Sequence, residues 1–246
     1  MREVDVLGIQ IKDYPLKEAL HKSTTFFGNG AMDIILYVSA QVFVESGGNK
    51  EKRDFLRGAD LIIFGEAEVL KAAGENTRER REEINGQVFL TDFVKRVCRA
   101  KMPVLLLSDS EETLEEMENY LKGIRENLVI ANKYTYTEGV TQPEALVNDI
   151  NASAAEVVLS NLPFSASSAL LSEYGMMMNK DVWLALLSTA SPWKQKPHTN
   201  SFLERLFYRR VFKRRVQKYN TIVEEARENE AAETASDDSD KEETAN

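Results

Sequence analysis

The sequence predicts an α/β protein, with a mostly parallel sheet covered by helices on both faces, a basic helical appendage after it, and an acidic tail. Three observations predict this. Short runs of Val, Ile and Leu alternate with amphipathic stretches of helical period, the pattern of a sheet sandwiched between helices. Several of those runs are almost continuously apolar, as strands buried on both faces are, which favours parallel pairing. Past Trp193 the charge separates into a cationic block followed by an anionic one.

Taken in order, the strand candidates are Val4–Ile11, Asp33–Val38, Leu61–Phe64, Val104–Leu107, Leu128–Ala131 and Val157–Leu159, with Trp183–Leu187 a seventh. Helices fit between them at Leu16–Phe27, Gln41–Ser46 with a weak continuation, Ala67–Ala73, Thr91–Ala100, Glu111–Ile124 and Pro143–Ser153. The stretch Asp109-Ser110-Glu111-Glu112-Thr113 sets capping oxygens and acids ahead of Leu114, Met117 and Leu121. A helix therefore starts directly after the Val104 strand, and Asp109 reads as its N-cap. In open α/β sheets such turns, at the carboxyl ends of strands, are where ligands bind. The stretch Glu75 to Glu83 is nearly all charged and reads as a solvated loop or an exposed helix.

The 246 residues, 43% of them hydrophobic, supply a full core. No apolar run approaches the roughly 20 residues that cross a bilayer. Arg2-Glu3-Val4-Asp5 places acids where a secretory signal needs a basic region and then an apolar one, so a cytoplasmic protein is expected. Cys98 has no second thiol and reads as an ordinary buried one. His21 and His198 stand alone, so no metal-binding spacing exists and neither metal nor cofactor is expected.

Between Lys194 and Tyr219 nine basic residues face a single acid, Glu204. Phe202, Leu203, Leu206, Phe207, Val211, Phe212 and Val216 approximate helical spacing there, beside a cationic face that includes Arg205, Arg209, Arg210, Lys213, Arg214 and Arg215. Such a helix suits an anionic bilayer, where each surface-near Lys or Arg contributes roughly 1 kcal/mol. A packed helix with a solvated rim, or one that neutralises the acidic tail, accounts for the same pattern. Nucleic acid is not expected as a partner, since the body is acidic and carries no binding module. The chain thus divides into a body at 1–193, a basic appendage at 194–227 and an acidic tail at 228–246 expected to be disordered.

Read in order, these landmarks resemble the WecG/TagA/CpsF glycosyltransferases. Val4-Asp5-Val6-Leu7-Gly8-Ile9-Gln10-Ile11 is similar to that family's first strand, and Leu16-Lys17-Glu18-Ala19-Leu20 to the helix after it. Ala59-Asp60-Leu61-Ile62-Ile63 is similar to its "ADLVLPDG" strand. Asn85-Gly86, the Phe93 to Ala100 helix and Met102 to Leu107 match the framework of its "GxD…VFLLGG" block. Ala155 to Leu162 lines up with "DILLVGLGSPKQE", and Leu203 to Arg209 with "LEWLYRL". The resemblance implies a Rossmann-like fold over about residues 4 to 219. It also implies transfer of an N-acetylmannosamine-type sugar from a UDP donor to a lipid-linked acceptor, with the basic appendage on the inner face of the cytoplasmic membrane.

Carried over residue by residue, the polar signature departs from the family. Thr-Pro-Asn becomes Tyr37-Val38-Ser39, and the Asp of "PDG", the general base the resemblance implies, falls on Gly65 with Glu66 one place later. The Asp of "GxD" falls on Val88, "GG" on Ser108-Asp109, and "PKQE" on Ser165-Ala166-Ser167-Ser168; Gly86 is retained. Glu66 is then the candidate base, or else a surface or helix N-terminal acid next to Glu68, favoured there by the helix dipole. Ser39, Gly86, Ser108, Asp109, Ser165 and Ser167 are the candidate donor contacts, although a carboxylate at 109 repels phosphate. The serines read equally as a polar helix start or loop. Two functions follow: the family's sugar transfer, or a catalytically inactive relative serving as a binding or regulatory partner.

Overall fold

The computed structural model describes residues 1–187, Trp193 and the helix Thr199–Glu243; within that helix the side chains described are those of 203 and 206–227. The chain opens on an antiparallel hairpin, β1 (Arg2–Val6) and β2 (Ile9–Asp13). A single strand over Val4–Ile11 is therefore corrected to two. Leu7 and Gly8 both take positive φ, 57° and 79°, and turn the chain through a two-residue loop. The Asp5 carboxylate accepts from the Gly8 amide at 2.9 Å and holds that turn.

Behind the hairpin lies a six-stranded parallel sheet in the order β4-β3-β8-β7-β5-β6. Its strands are β3 (Asp33–Val38), β4 (Leu61–Phe64), β5 (Val104–Ser108), β6 (Ile130–Thr135), β7 (Val157–Asn161) and β8 (Val182–Leu187). All six residues of β8 are buried, between β3 on one side and β7 on the other. The period of two along the strands splits the core. Leu36, Val38, Leu105, Leu107, Trp183 and Ala185 face one layer, and Ile35, Tyr37, Val104, Leu106, Leu184 and Leu186 the other.

The second layer is built by α1 (Leu16–Thr25), α6 (Val88–Ala100) and α7 (Glu111–Ile124). The first is built by α2 (Ala40–Ser46), α3 (Lys50–Gly58), α4 (Ala67–Ala72), α8 (Pro143–Ala152), α9 (Phe164–Tyr174) and the hairpin. The charged stretch beginning at Glu75 resolves into α5 (Arg78–Asn85), capped by Thr77, whose hydroxyl accepts from the Arg80 amide at 3.2 Å; its Ile84 is buried. The cap of α7 is Ser110 rather than Asp109, since the Ser110 hydroxyl accepts from the Thr113 amide at 3.3 Å. The strand expected at Leu128–Ala131 is displaced to Ile130–Thr135: the turn at Glu126 and Asn127, closed by the Leu128 amide donating to the Arg125 carbonyl at 3.1 Å, leads through Leu128 and Val129 into it. Cys98 is partly exposed, with its thiol 3.2 Å from the Asn127 side-chain oxygen.

The last helix, α10 (Thr199–Glu243), lies on α2 and touches α4. It takes in the basic segment and runs on into the acidic stretch for which composition predicts disorder. Phe212 is 1% exposed, its ring 6.3 Å from that of Phe43. The Arg215 guanidinium donates to the Val44 carbonyl at 2.7 Å and helps cap α2. Tyr219 reaches the hairpin turn, so close that a Cβ on Gly8 would lie 3.6 Å from its ring. No helix among the described residues is long and apolar enough to cross a membrane.

Candidate functional site

The expected site residues gather at the carboxyl end of the sheet, in two groups. At the first, β3 ends on Val38 and hands the chain to Ser39, and β4 ends on Phe64 and hands it to Gly65-Glu66. Ser39 is fully buried, and its hydroxyl donates to the Leu187 carbonyl of β8 at 3.0 Å. That bond ties strand ends together and occupies its only proton. Glu66 is 3% exposed, so its reading as a surface acid is corrected; it is an interior carboxylate standing at the N-cap of α4. One of its oxygens accepts from the Ala40 amide in the first turn of α2 at 3.1 Å. An acid is favoured there by amides of a helix start that otherwise lack partners.

Gly65 is glycine for a steric reason. Its φ is not positive, yet a Cβ built on it would stand 2.7 Å and 2.9 Å from two ring carbons of Tyr37 and 3.0 Å from the Val38 carbonyl oxygen. Tyr37 is 3% exposed, and burial, followed by the nearby Tyr120, holds its phenol far above the ordinary range. Its hydroxyl donates to the Gln87 side-chain oxygen at 2.9 Å. Gln87 stands at φ 50° between Gly86, the C-cap of α5, and the start of α6. Tyr37 thus fills the space beside Gly65 and braces the α5–α6 junction.

Beside this ring lies a cavity of about 30 Å³, lined by Asp13, Arg80, Glu83, Tyr37, Phe64 and Phe89 among others. It holds a water or two and is far too small for a nucleotide. Arg80 closes it with a bidentate pair onto Asp13, at 2.8 and 3.0 Å, and lies 3.5 Å from Glu83. Burial raises the Glu83 carboxyl, with Arg80 opposing. None of these groups stood out in the sequence. Thr77 capping and buried Ile84 were the available signals, but Asp13 and Arg80 are 67 residues apart.

The second group sits at β5 and β7. Four strand spacings, roughly 19 Å at ~4.8 Å each, separate β4 from β5, so Glu66 and Ser108 do not meet across the sheet. Ser108 is buried, its hydroxyl 3.2 Å from the Asn161 carbonyl and 3.3 Å from a carboxylate oxygen of exposed Asp109. Ser165 to Ser168 form the first turns of α9. The Ser165 carbonyl accepts from the Ser168 hydroxyl at 3.0 Å, and Ser167 is fully buried with no partner for its hydroxyl among the described residues. Among the described residues no three His, Cys, Asp or Glu gather as metal ligands would.

The cations of α10 divide as well. Arg209 pairs with Glu68 at 3.3 Å and Arg215 with the Val44 carbonyl, so both are committed to the body. Arg210, Lys213 and Arg214 are exposed; the side chain of Arg205 lies outside the described residues.

The family model described as "Glycosyl transferase WecG/TagA/CpsF family" matches residues 4–186. The chain belongs to this family. WecG/TagA/CpsF membership implies sugar transfer in polysaccharide biosynthesis, and the match runs from within β1 to within β8, taking in part or all of every strand. No curated protein matches the chain. Gly65, the position that the sequence resemblance sets against the family's base, has its side-chain space taken by Tyr37, and Gly86 stands one residue before Tyr37's hydrogen-bond partner.

Proposed function

We propose that this family member acts in surface polysaccharide or glycolipid assembly as a non-catalytic binding or regulatory partner, peripheral on the inner face of the cytoplasmic membrane. The observation that carries this reading is the steric one at Gly65: where the family places its carboxylate base, no side chain fits. The hydroxyls of Ser39 and Ser108, the candidate donor contacts, are also turned to backbone carbonyls of neighbouring strands.

One observation favours a second reading, retained transfer from a UDP-sugar to a lipid-linked acceptor. Glu66 is a carboxylate at a strand's carboxyl end, one residue from the family's base. To serve as base it must become accessible from its buried position and take the acceptor hydroxyl's proton as that oxygen attacks the sugar's anomeric carbon and the bond to UDP breaks, UDP leaving. Screening UDP-sugars with a lipid-linked acceptor, for the natural chain and for Glu66→Gln, separates the two. The first reading expects no transfer from either protein. Transfer that Glu66→Gln abolishes establishes the second.

For the membrane, Leu203, Leu206 and Phe207 are 60%, 46% and 62% exposed and continue along α10 into Arg210 and Lys213. Sedimentation with anionic vesicles is expected to carry the protein down. Reversing Arg210 and Lys213 to Glu should lower partitioning at least about tenfold, from the loss of roughly 1 kcal/mol per cation. Equal partitioning removes the membrane from the reading.

A further inference from the structure

The chain contains two Asn-Gly dipeptides, Asn29-Gly30 and Asn85-Gly86, and the fold treats them differently. In any such pair the backbone nitrogen after the asparagine can attack the side-chain amide, which makes asparagine a labile residue. Asn85 ends α5, and the Gly86 amide donates to the Glu82 carbonyl at 2.9 Å, so that nitrogen is held in a helical turn. Asn29 lies between α1 and β3, at the amino end of the sheet and opposite the strand ends that carry the candidate site. Gly28, Asn29, Gly30 and Ala31 are all exposed. Gly30 stands at φ 86° with open space where a Cβ would go, and its amide makes no hydrogen bond among the described residues.

The Asn29 side chain is positioned for attack as well as accessible. Its oxygen accepts from the Ala31 amide at 2.9 Å, an Asx-turn that folds the side chain back along the Gly30 peptide. The Gly30 nitrogen and the Asn29 Cγ are then members of one small hydrogen-bonded ring. The same Ala31 N–H faces the oxygen on which negative charge develops when Cγ is attacked, as an oxyanion donor does. The side-chain nitrogen, the group that must leave, donates to the Asp33 carboxylate at 2.6 Å. Burial raises the Asp33 carboxyl, the Asn29 hydrogen bond opposes this, and the charges of Asp60 and Asp181 act with burial.

We infer that Asn29 is a site of spontaneous modification, a slow timer whose amide becomes a carboxylate and releases the start of β3. The Gly30 nitrogen gives its proton to solvent and bonds to Asn29 Cγ. The Cγ–Nδ2 bond breaks, and the nitrogen takes up a solvent proton and leaves as ammonia. Water then opens the cyclic imide at either carbonyl, leaving an aspartyl or an isoaspartyl link. The product has lost the N–H donor to Asp33 and sets a like charge in its place, near Asp60 and Asp181. The turn at Gly28 to Met32 and the first residues of β3 then separate.

The full chain, incubated at neutral pH and then digested, tests this by peptide mass spectrometry at both dipeptides. Asn29 is expected to convert at least about tenfold faster than Asn85, which must first give up a helical hydrogen bond. In urea, without the fold, the two should convert alike. Asn29→Asp reproduces the product's charge and should raise the unfolding equilibrium constant about tenfold, from a lost charge-assisted hydrogen bond and the repulsion that replaces it. Adding Asp33→Asn exchanges donor and acceptor and should recover the stability. Conversion of Asn29 no faster than that of Asn85 in the folded chain, or a ratio unchanged by urea, overturns the proposal. So does an Asn29→Asp variant as stable as the natural chain, or one that Asp33→Asn fails to recover.

Discussion

Gly65→Asp, which restores the residue type of the family's base, is expected to destabilise the fold by about 3 kcal/mol or more and to yield no transferase. The new Cβ meets the Tyr37 ring at 2.7 Å and 2.9 Å, well inside van der Waals contact, and the ring is hemmed in by buried neighbours and held through Gln87. Overpacking of this kind costs about 1–3 kcal/mol, and a buried, unpaired carboxylate adds to it. Tyr37→Ala also destabilises when made alone, through the cavity it leaves. Together the two changes should cost less than their sum, with a coupling of about 1–3 kcal/mol, because the second removes the clash of the first. Urea unfolding of the two single variants and the double variant measures this. Additive losses would mean that the ring does not occupy the aspartate's space, and the non-catalytic reading would lose its support.

Phe212→Ala is expected to lose about 3–5 kcal/mol, the range for emptying a buried aromatic site. The more telling result is where the loss appears. Phe212 is the fully buried contact of α10 and packs on Phe43 of α2, while Arg209 and Arg215 hold the same helix by polar contacts at partly exposed positions. Without the phenyl ring those polar contacts are worth too little to seat the helix. Limited proteolysis should then cut between about 203 and 227 while the sheet stays protected. Unchanged protection with a loss under 1 kcal/mol would show that α10 is not held through Phe212.

Much of this architecture is legible in the sequence, and the exceptions share causes. Asp33–Val38, Leu61–Phe64 and Glu111–Ile124 appear with the bounds expected, because a continuous apolar run or a capping Ser with acids identifies each locally. The hairpin is illegible because Val4, Val6, Ile9 and Ile11 keep up apolar alternation through a Leu-Gly turn that lacks the usual Asn-Gly. Only Leu56 of α3 is buried, so Lys50–Gly58 shows no apolar stripe to read. β6 continues through Asn132 and Lys133 because an edge strand tolerates polar residues.

At the site the same division holds. That Glu66, Ser39 and Ser108 stand at strand ends follows from local pattern, whereas what they bond to does not. Tyr37 meets Gln87 across 50 residues and Arg80 meets Asp13 across 67, and no periodicity reports such encounters.

The place of β8 has a consequence for how the molecule is made. Strands β3 and β4 are near in sequence and join early, as do β5, β6 and β7, yet these two halves have no edge in common. Val182–Leu187 alone bridges them, pairing Asp33 to Val38 with a segment about 150 residues away. Until that strand arrives, both halves present bare apolar edges, so closure is slow and exposed to mispairing. Folding of this protein should therefore be governed by one late insertion, and a lesion in Val182–Leu187 should slow assembly more than any comparable change at the outer strands.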